Sequence, residues 1–372
     1  MQIGIPRESL VGETRVAATP ETVKKYTGAK HTVFVETGAG LAARYPDQAY
    51  IDAGAQLVDA KQALGADLVL KVRSPNTEEL LHMKSGAVLV GMLDPFNPDG
   101  LAALATAGLT AFALEAAPRI TRAQSLDVLS SQANLAGYKA VLLAGHHYGR
   151  LFPMMMTAAG TLKAARVVVL GAGVAGLQAI ATAKRLGAIV EASDVRPAAK
   201  EQIESLGAKF IDVPFETDEE REIAQGVGGY ARPMPAAWMQ RQATLVAQRC
   251  QQADIVITTA LIPGRPAPTL ISEATVQGMK PGSVIVDLAV ERGGNCPLSE
   301  IDQVVEKHGV ILVGHSNLPA MVATDASALY SRNVMDFMKL ITDEEGQLAI
   351  QYEDEIVAAC LMCTDNKVHR SA

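Results

Sequence analysis

The sequence predicts an α/β protein built from two doubly wound parallel-sheet domains with a cleft between them. Three observations carry that expectation. The 372-residue chain exceeds the size at which one core keeps growing, so it should divide. Short β-rich runs alternate with helical ones, and strict alternation implies a parallel sheet covered on both faces. Residues 167–196 hold a complete strand, glycine turn, helix and second strand ending in an acid.

In the first domain the expected strands are Ile3-Gly-Ile, Thr32-Val-Phe-Val, Asp67-Leu-Val-Leu-Lys-Val, Ala87-Val-Leu-Val and Leu109-Thr-Ala-Phe-Ala-Leu. Helices are expected near residues 20–27, 46–53, 77–83 and 99–107, the first opened by Thr19 as N-cap and Pro20 at the first helical position. Residues 131–150 read as a long helix leading into the second domain, and Asp325 opens another that runs to about residue 340. Two long helices flanking the glycine-turn unit suggest an insertion. Residues 1–131 with 321–372 would form one Rossmann-like domain, and residues 132–320 a second that binds NAD(H).

Its first strand, turn and helix read Val167-Val-Val-Leu-Gly171-Ala-Gly173-Val174-Ala-Gly176, and Asp194 follows 18 residues after the last glycine. Gly171 permits the turn, Gly173 lets the backbone approach a pyrophosphate, and Gly176 lets helix and strand close up. Asp194 would accept both adenosine-ribose hydroxyls, which disfavours a 2′-phosphate and points to NAD(H). Arg196, two residues on, is the one feature that argues the other way.

Composition narrows the class. With 49% hydrophobic and 20% charged residues, this is the balance of an ordinary soluble globular protein. The net charge of −7 is spread along the chain without a dense Lys/Arg block, which argues against nucleic acid as a partner. Met1-Gln-Ile-Gly-Ile looks like a first strand rather than a signal region, and the longest weakly polar run, residues 167–183, is the glycine-turn unit rather than a membrane span. Four cysteines, Cys250, Cys296, Cys360 and Cys363, suggest a reducing compartment. Cys360-Leu-Met-Cys363 lacks a second pair at metal-ligand spacing and reads as part of a strand carrying buried apolar cysteines, so no metal is expected.

Two stretches interrupt the alternation. Residues 214–235 are charged, then glycine-rich, then proline-rich; Gly229-Tyr230 suits a closing lid, and a solvated insertion is the alternative. Arg119-Ile-Thr-Arg-Ala-Gln124-Ser-Leu-Asp127-Val-Leu-Ser130 follows the last strand of the first domain, where α/β sheets bind ligands. Its side chains can hold a carboxamide, or Asp127 and Ser130 can merely cap the next helix.

The same stretch, extended from Pro118 to Tyr138, resembles the soluble NAD(H)-binding alpha-1 subunit (domain I) of proton-translocating NAD(P) transhydrogenases. Phe152-Pro-Met-Met-Met-Thr-Ala-Ala-Gly, Thr258-Thr-Ala-Leu-Ile-Pro-Gly-Arg-Pro-Ala-Pro and Val284-Ile-Val-Asp-Leu-Ala-Val-Glu-Arg-Gly-Gly-Asn-Cys-Pro carry the resemblance across essentially the whole chain. It implies a Re/Si-specific enzyme passing hydride between NADH and NADP⁺ held by an NADP(H)-binding beta subunit, with a membrane-spanning subunit coupling the transfer to proton translocation. It implies a homodimer, cytoplasmic and peripheral to the inner membrane through those partners. Arg119, Gln124, Asp127 and Ser130 would hold the dihydronicotinamide. Val174, Asp194, Val195, Arg196, Gln242 and Leu261 would surround the cofactor, with Gly229 and Tyr230 in a closing loop.

A wider resemblance is to alanine dehydrogenase, through the Arg15-Val-Ala motif and Lys71, which bind a keto acid in those enzymes. Where they present a catalytic histidine this chain has Val90-Gly-Met-Leu-Asp-Pro, and their catalytic aspartate corresponds to Glu291. Arg15 and Lys71 are therefore expected to be structural ion-pair partners. The rival functions are an alanine-dehydrogenase-like oxidoreductase and a non-catalytic NAD-sensing module.

Overall fold

A computed structural model describes residues 1–196, 198–225, 234–261, 264–343 and 345–370. They form two compact units, Met1–Gln132 with Pro319–Ala372, and Ala133–Leu318.

The first unit is an eight-stranded sheet in the order Lys367–Val368, Leu361–Thr364, Thr110–Ala113, Val88–Met92, Leu68–Arg73, Gln2–Ile5, Thr32–Glu36, Gln56–Val58. The six strands drawn from residues 2–113 are parallel, and the central ones are apolar on both faces, as burial under helices on both sides requires. The last two strands depart from the expected parallel order: Leu361–Thr364 runs antiparallel to Thr110–Ala113 and folds back on itself as a hairpin. Asp365 and Asn366, both at positive φ, form its turn and give the twist a tight hairpin needs.

The returning segment completes this unit's core. The Ala323–Ile341 helix buries Tyr330, Val334, Phe337 and Ile341 against Ile3, Ile5, Leu68, Leu70 and Phe112, with the Phe112 and Phe337 rings 5.3 Å apart. The Cys360-x-x-Cys363 segment is only half strand. Asp354 caps a Glu355–Cys360 helix by accepting the Ile356 and Val357 amides at 2.9 and 3.2 Å, and the strand starts at Leu361. Both cysteines are free and buried, and burial pushes their thiols up to about 12 and about 11.

The second unit is a seven-stranded sheet in the order Lys209–Phe210, Ile189–Ser193, Arg166–Leu170, Ile255–Thr258, Val284–Asp287, Val310–Val313, Val304–Lys307. Again only the edge breaks the parallel pattern, through a hairpin turned by His308 and Gly309 at positive φ. The Val128–His147 helix contains the division between the units. Within the second unit its Gly137 lies where an added Cβ would stand 2.1 Å from the Ala175 carbonyl oxygen, so this helix and Val174–Arg185 touch backbone to backbone.

Part of the stretch expected to be one long loop is helical, from Asp218 to Gln225. Thr217 Oγ1 accepts the Glu220 amide at 3.1 Å, and Asp218, Glu219 and Glu220 place negative charge on the helix's positive end. Gly229 and Tyr230 lie outside the described residues.

Candidate functional site

The glycine turn of the second unit is built as its chemistry requires. Gly171 sits at φ +98°, and a Cβ there would lie 2.6 Å from Thr259 Oγ1, which donates to the Gly171 carbonyl at 3.0 Å. A Cβ on Gly176 would lie 1.9 Å from that same carbonyl oxygen, so only glycine lets the Val174–Arg185 helix begin this close to the strand. Gly173, the N-cap residue, faces open space, which leaves room for a phosphate against the helix's positive end. Val174 beside it is partly exposed.

Asp194 ends the next strand and is tied to this turn. Its Oδ2 accepts the Ala172 amide at 2.7 Å and Arg196 Nη2 at 3.0 Å; its Oδ1 accepts the Arg196 amide at 2.8 Å and Arg196 Nε at 2.9 Å. Burial raises this carboxyl, but the hydrogen bonds from Arg196 and Ala172 outweigh it and hold the group below the usual carboxylate range. The residue expected to greet a ribose is thus already occupied, and by its own neighbour.

Asp194 and Val195 open onto a pocket of about 470 Å³ whose wall includes Phe210, Phe215, Trp238 and Gln242. Phe215 and Trp238 stack with ring centroids 6.3 Å apart at 16°. Trp238 Nε1 is enclosed yet has no hydrogen-bond partner among the described residues, an orphan donor that a ligand acceptor would satisfy. Asp194, Val195 and Gln242 therefore share one pocket; Val174 and Leu261 are not in its lining. The segment leading to the exposed Leu261 is oriented by Asn295, which bonds the Ala260 amide at 3.1 Å and the Ala260 carbonyl at 2.9 Å. Phe215, Trp238 and Asn295 carry no local motif, and sequence reasoning missed them.

In the first unit the Arg119 to Ser130 stretch has an anchored side and an open side. Ala123 and Leu126 are buried, Asn333 Nδ2 donates to the Ser125 carbonyl at 2.7 Å, and Arg122 Nη1 pairs with Asp354 at 2.6 Å. Asp127 accepts the Ser130 amide at 2.9 Å and the Ser130 hydroxyl at 2.6 Å, so these two cap the Val128–His147 helix. Arg119 and Gln124 are exposed. Asn333, a structural anchor of this loop, was also missed.

Arg15 and Lys71 are buried and saturated. Glu13 grips Arg15 through both carboxylate oxygens, at 2.7 and 2.6 Å, and Gln132 Oε1 accepts Arg15 Nη1 at 2.8 Å. Lys71 lies 2.8 Å from Glu79 and 3.4 Å from Glu8. Glu291 is exposed on a short 3₁₀ turn, and no cluster of three or more His, Cys, Asp or Glu suited to a metal occurs among the described residues.

Comparisons with known proteins agree on one lineage. Residues 4–136 match the N-terminal domain model of the alanine dehydrogenase/PNT family, and residues 140–371 match the C-terminal domain model. The chain is 52% identical to the first portion of the two-piece NAD(P) transhydrogenase subunit alpha of Rhodospirillum rubrum, over 99% of this chain and 97% of that protein. The crystal structure of transhydrogenase from Sinorhizobium meliloti superposes with a TM-score of 0.90 at 50% identity, covering 99% of this chain and all of the other. Alanine dehydrogenase of Bacillus subtilis is more distant, at 31% identity over 87% of this chain and 80% of that protein. The chain belongs to the alanine dehydrogenase/PNT family and, within it, to the NAD(P) transhydrogenase alpha subunits.

Proposed function

We propose that this chain is the NAD(H)-binding subunit of a proton-translocating NAD(P) transhydrogenase, presenting hydride to NADP⁺ on a partner beta subunit. The observation that carries the reading is the Ala172 amide on Asp194, which joins the glycine turn to the ribose-reading acid in one rigid element. The turn's open face at Gly173 and the orphan Trp238 Nε1 fit a dinucleotide. Gly171, Gly173, Val174 and Gly176 cradle the pyrophosphate, while Asp194, Val195, Arg196, Gln242 and Leu261 hold the adenosine half. Arg119 and Gln124 are free to orient the carboxamide, on a loop that Asp127 and Ser130 stiffen. When bound, the nicotinamide supplies hydride chemistry; the protein's task is to fix its plane and exclude water.

Transfer between two nicotinamides needs positioning and no proton donor. The absence of histidine from Val90-Gly-Met-Leu-Asp-Pro fits that need, and so does the sealing of Arg15 and Lys71 by the chain's own carboxylates, which disfavours a keto-acid substrate. No described helix is long and apolar enough to cross a membrane. Membrane attachment and proton coupling would therefore come through partner subunits, with this chain as a homodimer. Mixing the chain with NADP(H)-loaded beta-subunit domain should yield hydride transfer from NADH, and incubation with alanine and NAD⁺ should yield no NADH. The opposite pair of results would establish the dehydrogenase reading.

A further inference from the structure

Asp194 has two carboxylate oxygens, and four donors already converge on them: the Ala172 amide, the Arg196 amide, Arg196 Nε and Arg196 Nη2. A carboxylate has about four lone-pair positions, so a ribose diol finds no free acceptor here. The two backbone donors are fixed by the turn and the strand end. The two guanidinium donors are removable, because the Arg196 side chain is 43% exposed while that of Asp194 is 7% exposed. A planar fork on an exposed stem can swing into water; the acid beneath it cannot follow.

We propose that Arg196 sets how sharply this site separates NAD(H) from NADP(H), because its guanidinium competes with the ribose diol for Asp194 and, once displaced, can pair with a 2′-phosphate. The inference rests on the reading of this pocket as an NAD(H) site. The guanidinium stands in for the diol, donating to both oxygens as two hydroxyls would. NADH binding exchanges those two charge-assisted bonds for two neutral ones, so Arg196 lowers the affinity for the nucleotide that Asp194 selects. A 2′-phosphate beside Asp194 meets repulsion, and the guanidinium is the group at hand that relieves it, since its fork matches phosphate as well as carboxylate. Arg196 thus narrows the preference from both sides. It also protects Asp194 from protonation, so its loss should show in the acid limb of NADH binding as well as in affinity.

The test uses the full chain and its Trp238, the only tryptophan and part of this pocket's wall, as a reporter of nucleotide binding. Wild type, Arg196→Ala and Arg196→Lys are titrated with NADH and with NADPH between pH 5 and pH 8. At pH 8, Arg196→Ala should bind NADH about two- to fivefold tighter and NADPH about two- to fivefold weaker, the scale of a partly exposed ion pair. Its NADH affinity should also fall away at a higher pH than that of wild type as the solution is acidified. Arg196→Lys, which keeps the charge but loses the fork, should bind NADH tighter than wild type yet retain most of the NADPH affinity. A loss of fold would move both nucleotides in the same direction, so opposite movement is the signature. NADH binding that is unchanged or weaker in Arg196→Ala, in a wild-type chain that binds NADH well, overturns the inference and leaves the NAD(H) site standing. A wild-type chain that binds no NADH overturns both.

Discussion

At the scale of single residues, exposure separates the groups available to a ligand from those committed to the fold. Gln124 is exposed on a loop whose other face is anchored by Asn333, Ala123 and Leu126, so it can be changed without disturbing the core. Gln124→Asn should leave NADH binding within about tenfold and cut single-turnover hydride transfer far more, because misplacing the reacting carbon by ~1 Å can cost about a hundredfold. A transfer rate within about twofold of wild type would remove Gln124 from the nicotinamide site. Glu115 is a different case. Part of the residue reaches the surface, but its Oε2 is enclosed without a partner; burial pushes this carboxyl up to about 7 despite the Asp94 amide on Oε1 at 2.7 Å. Its folded-state value lies above the unfolded one, so between about pH 4.5 and 7 the folded protein holds the extra proton, and stability falls as pH rises through that window. Glu115→Gln should therefore gain on the order of 2 kcal/mol over wild type between pH 5 and pH 8. Urea unfolding at both pH values checks this, and an identical difference at the two would refute it.

At the scale of elements, the glycine turn depends on backbone contact that side chains cannot replace. Gly176→Ala would force a methyl into the Gly171 carbonyl, 1.9 Å away, and should destabilise the second unit by roughly 1 to 3 kcal/mol as overpacking does. It should also abolish measurable NADH binding, and a calorimetric titration that matches wild type would show that the turn tolerates the shift. This element was legible in the sequence because every part of it is local: a run of valines, three spaced glycines and an acid at the next strand's end. The parallel strands were legible for the same reason, being short β-branched runs. The antiparallel edges were not, since His308-Gly309 and Asp365-Asn366 are weak turn signals and the strands they join are short and partly exposed. The helix inside residues 214–235 was hidden by its charge, which here serves the cap and the dipole rather than a solvated loop. Nor could the pocket wall be read from sequence, because Phe215 meets Trp238 only through tertiary packing, and the occupation of Asp194 by Arg196 depends on a side-chain conformation.

At the scale of the whole chain, the first unit is discontinuous, and its core says what that demands. Tyr330, Val334, Phe337 and Ile341 come from residues beyond the second unit and are fully buried among strands from residues 2–113. A fragment ending at residue 132 should therefore fail to fold cooperatively, since each of those large side chains contributes about 1.5 to 3 kcal/mol of burial. A cooperative thermal transition in that fragment would contradict the assignment of the returning helix to its core. The central claim, however, concerns what the intact chain does. Single-turnover hydride transfer, from NADH on this chain to NADP⁺ on an added beta-subunit domain, tests it most directly. The account predicts rapid transfer that needs both proteins and survives Arg15→Lys, because Arg15 is sealed away by Glu13. Transfer that never exceeds the rate of the nucleotides mixed with either protein alone would contradict it.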